Sequence, residues 1–549
     1  MSLSVRIFRT DTSSLLLVLP AALLLVSFGL GARDLWAPDE PRAGEVAREI
    51  LRSGSWAVLH DNGTIYLEKP PLFFWLVAAA SQPDGRVTGF SARLPSSLAA
   101  LAALIVLFYL GRDLFGRRTG ALAVLTLATM QGFFMEARWA HPDMLWAFFL
   151  GFACLAFHRA IVTEGARLWL AGFYLSLGLA CLTKGPAGLL LPLGAVVLFL
   201  GVTGRSGFLR RAGLAWGLPL ALLPTGLWLL AYRLSSGGLF PVGPAMGRLL
   251  ERFTHGLHHT GSPWHFVSAL AIETLPWTVM LPLAIGQTFP RRRHRPDTET
   301  AYLYSWLLVY VGVFALSAEK RGVYLLPILP LLAILVARMW DTALLGWDPS
   351  PLERPVRIAL LVTLALTIGV AVVVMPRIRE EGADLERPAA LLAMSLVLVT
   401  GAALLTALRY GSGAALGVLA GGMVAPYLLV AGMVLPALNH YKSARGFCER
   451  VAAATAASPL GIYPDYHASY AFYSGRFLSV LRTRDDLSDF VSGAPRVYCL
   501  MEARQYEIER RLLATTLRVI DRERVGHRSM LLVAVGSPAA ANGHEGETP

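Results

Sequence analysis

The segment from residue 32 to residue 90 concentrates acidic and basic residues that a plain connection between two helices would not need. Asp39 lies at the start of a predicted amphipathic helix that continues to Ser53, and Arg42 follows one turn later. A carboxylate placed there can accept a proton or stabilise a developing positive charge, and a guanidinium can grip phosphate with two donors. Asp39 could equally be a plain helix cap, because aspartate is favoured at that position.

A second group of chemistry-bearing residues follows in the same segment, at Tyr66, Glu68 and Lys69. Two prolines come next, and a residue before proline is steered toward an extended backbone. Neighbouring side chains on an extended chain point to opposite sides, so Glu68 could contact a sugar or metal while Lys69 contacts a phosphate. Two solvated charges would be the plainer interpretation.

Three further places could complete a site on the same side of a membrane. Asp143 begins a predicted span, and Arg252 lies in the predicted loop from 234 to 266. Lys320 and Arg321, with Tyr324 just beyond, place two cations at the mouth of a span, where the charge rule for outer loops disfavours them. An anion to be bound is a physical reason for such a placement, and snorkelling to the interface is the alternative.

Histidines in the 234 to 266 loop suggest a metal. His258 and His259 could ligate a divalent ion, most plausibly zinc, together with Glu68, because imidazole and carboxylate are common zinc ligands. Histidines near an interface are also frequent as ordinary polar anchors. We therefore expect no certain cofactor and keep zinc as a possible one.

The composition decides what kind of scaffold must position these residues. The chain has 549 residues, of which 55% are hydrophobic and 16% charged, and its mean hydropathy is +0.53. Soluble domains average about 25% charged residues, so the sequence predicts a membrane protein. The net charge of +12 fits basic anchors in cytoplasmic loops, and no basic run with interleaved aromatic residues favours nucleic-acid binding.

Apolar stretches long enough to cross about 30 Å of hydrocarbon predict about thirteen transmembrane helices. They lie near residues 14–31, 91–110, 119–135, 143–161, 168–183, 187–203, 213–233, 267–289, 301–317, 323–338, 357–375, 388–408 and 412–436. The apolar stretch 72–80 is too short to span, so it should re-enter the membrane or lie in its interface.

The distribution of arginine in the short loops sets the orientation. Loops at 112–118, 205–211 and 291–295 carry more positive charge than the loops between them, which places the amino terminus in the cytoplasm. The 32–90 loop and everything after the last span then face outside. We therefore predict a transmembrane catalytic domain at 1–436 and a soluble periplasmic α/β domain at 437–549, the latter because charged residues and alternating apolar runs appear there.

Several short motifs carry a family resemblance. They are Trp36-Ala-Pro-Asp-Glu-Pro-Arg42, Glu68-Lys-Pro-Pro-Leu72, Arg252-Phe253 and Lys320-Arg-Gly-Val-Tyr-Leu-Leu-Pro327. Together with the many spans and the external tail, they resemble the lipid A aminoarabinose transferases. Those enzymes are GT-C glycosyltransferases, polytopic α-helical membrane proteins related to the protein mannosyltransferases.

The resemblance implies an inverting transferase of the bacterial inner membrane with its active site facing the periplasm. It would move 4-amino-4-deoxy-L-arabinose from undecaprenyl phosphate to lipid A phosphates, which gives resistance to polymyxin. Asp39 and Asp143 would be catalytic acids of two outer loops. Arg42, Lys69 and Tyr324 would lie at the carrier phosphate. The His141-Pro142 pair before Asp143 departs from an ordinary helical start.

Two other functions fit parts of the sequence. Another GT-C transferase could deliver a different lipid-linked sugar or act on protein, because sugar identity depends on a few pocket residues. A lipid or solute transporter would also have a dozen spans, but transporters place ionisable residues near the middle of the bilayer. Here the acids gather at one face instead, which favours a transferase.

Overall fold

The structure is a computed structural model that describes residues 11–163, 166–254, 264–289, 297–345, 351–456, 458–492, 497–512 and 516–536. Contacts between Cα atoms divide the chain into two compact units. The helical unit comprises Met1–Ala32, Leu67–Leu76 and Arg93–Val434, and the mixed unit comprises Arg33–Tyr66, Val77–Ala92 and Leu435–Pro549. Each unit is described by itself.

The apolar helices confirm a multi-pass membrane protein. By length and composition, eight helices of the described chain could cross a membrane, or nine if the bent pair His265–Glu273 and Trp277–Thr288 forms one span. Shorter apolar helices occur at Ser13–Ser27, Leu72–Ser81 and Ala187–Thr203. The helix at Leu72–Ser81 matches the predicted non-spanning stretch, and the count of thirteen spans stays a prediction.

The remaining α-helices before residue 435 have the following bounds: Gly89–Phe115, Arg117–Ala128, Gln131–Glu136, Asp143–Val162, Arg167–Lys184, Leu214–Ser236, Val242–Thr254, Leu281–Thr288, Thr298–Leu316, Leu329–Leu345, Glu353–Glu381, Ala383–Tyr410, Ser412–Gly422 and Val424–Leu429. Short 3₁₀ helices occupy Ser206–Arg210, Trp277–Met280 and Gly322–Ile328.

Burial separates two kinds of spanning helix. The most apolar window within Gly322–Leu344 is 72% buried, whereas the corresponding window of Glu353–Glu380 is only 17% buried. A helix that is apolar all round yet exposed in water would be unstable, and lipid tails are the solvent that suits it. The Glu353–Glu381 and Ala383–Tyr410 helices therefore face lipid along most of their length.

The mixed unit contains the predicted amphipathic helix, which spans Asp39–Ser53. Val46, Ala47 and Ile50 are fully buried on its apolar face. Gly44 lies so close to Phe472 that a Cβ atom there would meet the ring at 2.8 Å. The helix thus packs on the Ala468–Ser474 helix of the same unit, a protein contact that the amphipathic pattern did not predict.

Residues after 434 form an α/β arrangement. Two strands of the first loop, β1 (His60–Asp61) and β2 (Thr64–Ile65), form a separate two-stranded sheet. The tail contains β3 (Leu460–Tyr463), β4 (Ser479–Val480), β5 (Val497–Glu502), β6 (Thr516–Val525) and β7 (Arg528–Gly536). The tail sheet has the order β4-β3-β5-β7-β6. Its strand β3 runs parallel to β4 and β5, and β7 runs antiparallel to β5 and β6.

Helices of the tail complete this arrangement. They span Leu435–Ala437, Asn439–Lys442, Arg445–Thr455, Ala468–Ser474, Arg484–Ser492 and Ala503–Leu512. Two apolar clusters, one around Phe447 and Leu500 and one around Leu487 and Cys499, lie on opposite faces of the sheet's central strand β5, as alternating side chains require. Alternating apolar runs that predicted an α/β tail lie at 460–463 and 530–535, within β3 and β7.

Candidate active site

Four charged side chains form a buried chain of ion pairs in the helical unit. The Asp143 carboxylate contacts the Lys184 ammonium through Oδ1 and the His141 ring through Oδ2, at 3.0 Å from Nδ1. The other ring nitrogen of His141, Nε2, lies 2.8 Å from Glu136 Oε2. Asp143 and His141 are each 6% exposed. The predicted catalytic acid Asp143 is therefore held between two cationic partners.

The charge of His141 follows from its two carboxylate neighbours. Burial alone would lower the pKa of this imidazole, but Glu136 and Asp143 outweigh burial and raise the pKa to about 10. The ring is then an imidazolium at neutral pH, and the two acids and two bases balance to zero net charge. This charge balance gives a physical reason for His141, which lies two residues before the helix and departs from an ordinary helical start.

The local sequence places Asp143 at the first residue of its helix. Pro142 occupies the cap position, and the helix begins at Asp143. A carboxylate in the first turn is favoured by the helix dipole. The Ser96 hydroxyl donates to the His141 carbonyl at 3.3 Å, which ties the preceding turn to a neighbouring helix.

Further cations and aromatic rings surround Lys184. Its ammonium lies 4.8 Å from the ring centres of both Trp146 and Tyr324. Lys69 and Arg321 are near enough for their positive charges to act on Lys184. The structure thus brings together four residues predicted from the sequence, Asp143, Lys69, Arg321 and Tyr324. A group of cations around the single Asp143 carboxylate can bind a phosphate group.

Lys320 has a different environment from Arg321. Its ammonium donates to the carbonyls of Ala315 at 2.7 Å and Ser317 at 2.5 Å, and it lies 5.0 Å from the Phe266 ring centre. These carbonyls belong to the end of the Thr298–Leu316 helix, where a cation is favoured by the dipole. The contacts favour a helix-capping role, and binding of phosphate by Lys320 stays a prediction.

Glu273 is an acid of this region that sequence reasoning missed. A Cβ atom added to Gly132 would meet Glu273 Oε2 at 1.9 Å, and one added to Gly322 would meet Oε1 at 2.9 Å. Glu136 is near enough to act on Glu273 electrostatically. Two glycines, Gly132 and Gly322, therefore make the space in which this carboxylate lies.

We expect Gly132→Ala to destabilise the protein by about 1–3 kcal/mol, the range for overpacking, because its Cβ atom would displace Glu273. Gly286→Ala is the matched control, since that helical glycine has nothing within 4 Å of an added Cβ atom. Thermal unfolding of both variants in detergent measures the effect. Equal melting temperatures would show that Glu273 moves aside without cost.

The first-loop helix of the mixed unit begins at Asp39 with Pro38 in the cap position. Its second residue, Glu40, is fully buried and accepts from Arg33 at 2.5 and 3.0 Å and from the Trp36 amide at 3.0 Å. Glu40 therefore stabilises the start of this helix through buried hydrogen bonds. Asp39 is partly exposed, as a carboxylate that meets a substrate must be.

Arg42 and Tyr66 also lie in the mixed unit. The Arg42 guanidinium pairs with Asp61 at 3.7 Å, and Asp61 in turn accepts from the Tyr466 hydroxyl at 2.6 Å. Tyr66 is buried, with its amide donating to the Leu59 carbonyl at 2.8 Å. Asp61 was not singled out from the sequence, because its position at the end of the two-residue strand His60–Asp61 carries no recognisable motif.

Glu45 has an unusual protonation state for a carboxylate. Burial raises its pKa to about 7, against the opposing effect of the Arg48 guanidinium, which contacts Oε1 at 2.5 Å. Nearby Glu49 and Asp61 raise it further, and Oε2 is buried without a hydrogen-bond partner among the described residues. Glu45 is therefore partly protonated near neutral pH.

A raised carboxyl pKa makes folding stability fall as pH rises from about 4.5 to about 7, because only the folded state holds the proton in that window. The shift corresponds to about 3 kcal/mol. We expect Glu45→Gln to be more stable than the native chain at pH 8 and similar to it at pH 5. Melting temperatures at both pH values measure this, with Glu449→Gln at an exposed site as the control. Identical pH dependence in the Glu45→Gln and native chains would contradict the assignment.

The structure does not test the predicted roles of some site residues. His258 and His259 lie outside the described residues, and nothing is described of the Arg252 side chain within the Val242–Thr254 helix. Among the described residues no cluster of three histidine, cysteine, aspartate or glutamate side chains could hold a metal. Glu68 is partly exposed, and zinc binding by it stays a prediction.

Comparison with known proteins finds that the chain is similar to proteins named as sugar transferases. Residues 68–229 match the family described as dolichyl-phosphate-mannose-protein mannosyltransferase. An undecaprenyl phosphate-alpha-4-amino-4-deoxy-L-arabinose arabinosyl transferase of Aeromonas hydrophila is 29% identical over 317 residues, which cover 56% of each chain. The protein of that name from Pseudomonas aeruginosa strain LESB58 is 28% identical over 57% of this chain and 58% of the relative. The chain thus spans little more than half the length of these relatives.

Solved structures extend the likeness over nearly the whole chain. The crystal structure of ArnT from Cupriavidus metallidurans bound to undecaprenyl phosphate superposes with a TM-score of 0.77 at 22% identity, over 96% of this chain and 98% of that one. The chain has the GT-C glycosyltransferase fold. An Archaeoglobus fulgidus oligosaccharyltransferase is a more distant match to the GT-C fold, with a TM-score of 0.52 at 12% identity over 90% of this chain and 69% of that one. The resemblance inferred from the short motifs is confirmed.

Proposed function

We propose that this chain is an inverting glycosyltransferase that moves 4-amino-4-deoxy-L-arabinose from undecaprenyl phosphate to phosphate groups of lipid A. The reaction would take place at the periplasmic face of the bacterial inner membrane. It would mask negative charge on lipid A and so give resistance to polymyxin. The names of the sequence relatives and the GT-C fold support the substrates, and the buried charges of the helical unit support the chemistry.

One observation carries the proposal. The Asp143 carboxylate is buried against Lys184, and Lys69, Arg321 and Tyr324 gather around the same lysine. Ammonium and guanidinium groups gathered at one place favour the binding of a phosphate there. A phosphate carried on a lipid would enter such a place from the membrane, with its tail left in hydrocarbon.

The chemistry follows from the nature of the leaving group. An oxygen of the acceptor attacks the anomeric carbon, the bond from that carbon to the carrier phosphate breaks, and the electron pair leaves with the phosphate. Preorganised cations stabilise the charge that develops on the phosphate, which is the role of Lys69, Lys184 and Arg321. A single displacement of this kind inverts the anomeric centre.

Asp39 has the role of general base in this scheme. It accepts the proton that the acceptor oxygen loses, and its negative charge stabilises positive charge at the anomeric carbon. A lipid A phosphate is already largely ionised near neutral pH. For that acceptor, stabilisation of the sugar and positioning would outweigh proton removal.

Mass spectrometry of lipid A from cells with and without the gene tests the substrates. We expect aminoarabinose-modified lipid A only in cells that carry the gene, and its loss when Asp39→Asn replaces the native chain. Unchanged lipid A in both strains would reject the proposed acceptor. Glycosylated protein in place of modified lipid A would favour the protein mannosyltransferase activity for which the family matched by residues 68–229 is named.

A further inference from the structure

A cavity of about 700 Å³ opens in the helical unit far from the candidate active site. Its lining includes Ile161 and Val162 at the end of the Asp143–Val162 helix. Because a helix of 20 residues is about 30 Å long, this end lies one membrane thickness from Asp143. The cavity is thus at the opposite membrane face from the ion-pair chain.

Two arginines give the cavity its charge. Arg205 and Arg211 flank the 3₁₀ helix Ser206–Arg210 and both line the cavity. Backbone hydrogen bonds from Phe208 to the Arg205 carbonyl at 2.9 Å and from Arg211 to the Phe208 carbonyl at 2.8 Å hold this turn. Among the described lining residues the one carboxylate is Glu299, so the charged side chains described here sum to plus one.

The rest of the described lining is mixed, with aromatic and aliphatic side chains beside glycines, His158 and Thr298. The Tyr302 ring packs against Phe199 at 4.9 Å and against His158 at 5.2 Å between ring centres, and its hydroxyl donates to the Cys154 carbonyl at 2.6 Å. Val162 lines the cavity and is 66% exposed. Inorganic phosphate would contact only the polar part of this lining, whereas a lipid presents a phosphate to the arginines and an acyl chain to Ile161 and Val162.

We propose that this cavity binds the headgroup of an anionic phospholipid with a single phosphodiester. The phosphate lies against Arg205 and Arg211, because guanidinium binds phosphate with paired donors. Headgroup hydroxyls donate to Glu299, and the upper acyl chain lies along Ile161 and Val162. The site is separate from the transferase chemistry, and its occupation does not depend on the proposed function.

Binding is tested with the purified full-length chain in a neutral detergent, with phosphatidylglycerol as the probe and melting temperature and native mass spectrometry as readouts. We expect phosphatidylglycerol to raise the melting temperature and to remain bound in the gas phase. The double variant Arg205→Ala with Arg211→Ala should weaken this binding at least tenfold. Arg210→Ala is the matched control, since Arg210 belongs to the same turn but does not line the cavity.

A steric variant tests the cavity without altering its charge. Gly207 lines the cavity and has nothing within 4 Å of an added Cβ atom, so Gly207→Trp should fill the space and abolish binding. Gly201→Trp is the control, because Gly201 also has open space but lies outside the lining.

Separate probes decide the source of the phosphate. Inorganic phosphate at equal concentration should have no effect, and phosphatidylethanolamine, with no net charge, should bind more weakly than phosphatidylglycerol. Stabilisation by inorganic phosphate equal to that by phosphatidylglycerol would overturn the proposal in favour of a small-anion site. Unchanged phosphatidylglycerol binding in both cavity variants would overturn it altogether.

Discussion

Asp39→Asn is expected to lower the rate of sugar transfer by about three orders of magnitude, within the range that a general acid–base residue supplies. Asparagine keeps the size of the side chain but cannot accept a proton or oppose a positive charge. Since Glu40 holds Arg33 and the Trp36 amide at the start of this helix, we expect the variant to fold normally. The rate is measured with the purified chain in lipid nanodiscs at fixed donor and acceptor concentrations.

A control for Asp39→Asn is the same substitution at another aspartate of the mixed unit. Asp84 is exposed, and Asp84→Asn should leave the rate within about twofold of the native value, since surface substitutions rarely matter. Binding of undecaprenyl phosphate should be unchanged in both variants. A normal transfer rate in Asp39→Asn would remove this residue from the chemistry.

Asp143→Asn is expected to have the second largest effect, on stability as well as on transfer. The substitution removes the carboxylate between Lys184 and His141 and leaves two buried cations with one remaining acid, Glu136. Removing one partner of a buried ion pair costs about 3–5 kcal/mol. Melting temperature should fall sharply, and transfer should be lost in the protein that remains folded.

A double-mutant cycle separates charge balance from catalysis. Lys184→Met added to Asp143→Asn removes the unpaired cation, and we expect it to recover much of the melting temperature, because replacing both partners of a buried pair is often near neutral. Transfer should stay absent in the double variant, since it lacks a cation of the phosphate site. Recovery of activity together with stability would make Asp143 a structural residue only.

The sequence predicted those elements whose local pattern agrees with the fold. The Asp39–Ser53 helix has apolar residues at helical spacing and begins where Pro41 fits a first turn. The Leu72–Ser81 helix was recognised as too short to span. Exact span boundaries could not be predicted, because adjacent apolar helices such as Leu329–Leu345 and its preceding 3₁₀ turn form one continuous hydrophobic run.

Sequence patterns could not predict which charged side chains contact each other. Lys184 directly follows a predicted span and belongs to no motif, yet its partner Asp143 lies 41 residues earlier in the chain. His141 was noticed only as a departure from an ordinary helical start, and its position between two carboxylates supplies the physical reason. Glu273 had no signal at all, because the glycines that accommodate it, Gly132 and Gly322, are remote from it in sequence.

The proposed function is tested most directly by transfer with the purified chain. The donor is undecaprenyl phosphate that carries isotopically labelled aminoarabinose, and the acceptor is lipid A. We predict labelled lipid A and free undecaprenyl phosphate in equal amounts, with neither product formed by Asp39→Asn. A donor whose glycosidic bond stays intact, or release of the carrier without labelled lipid A, would contradict the account.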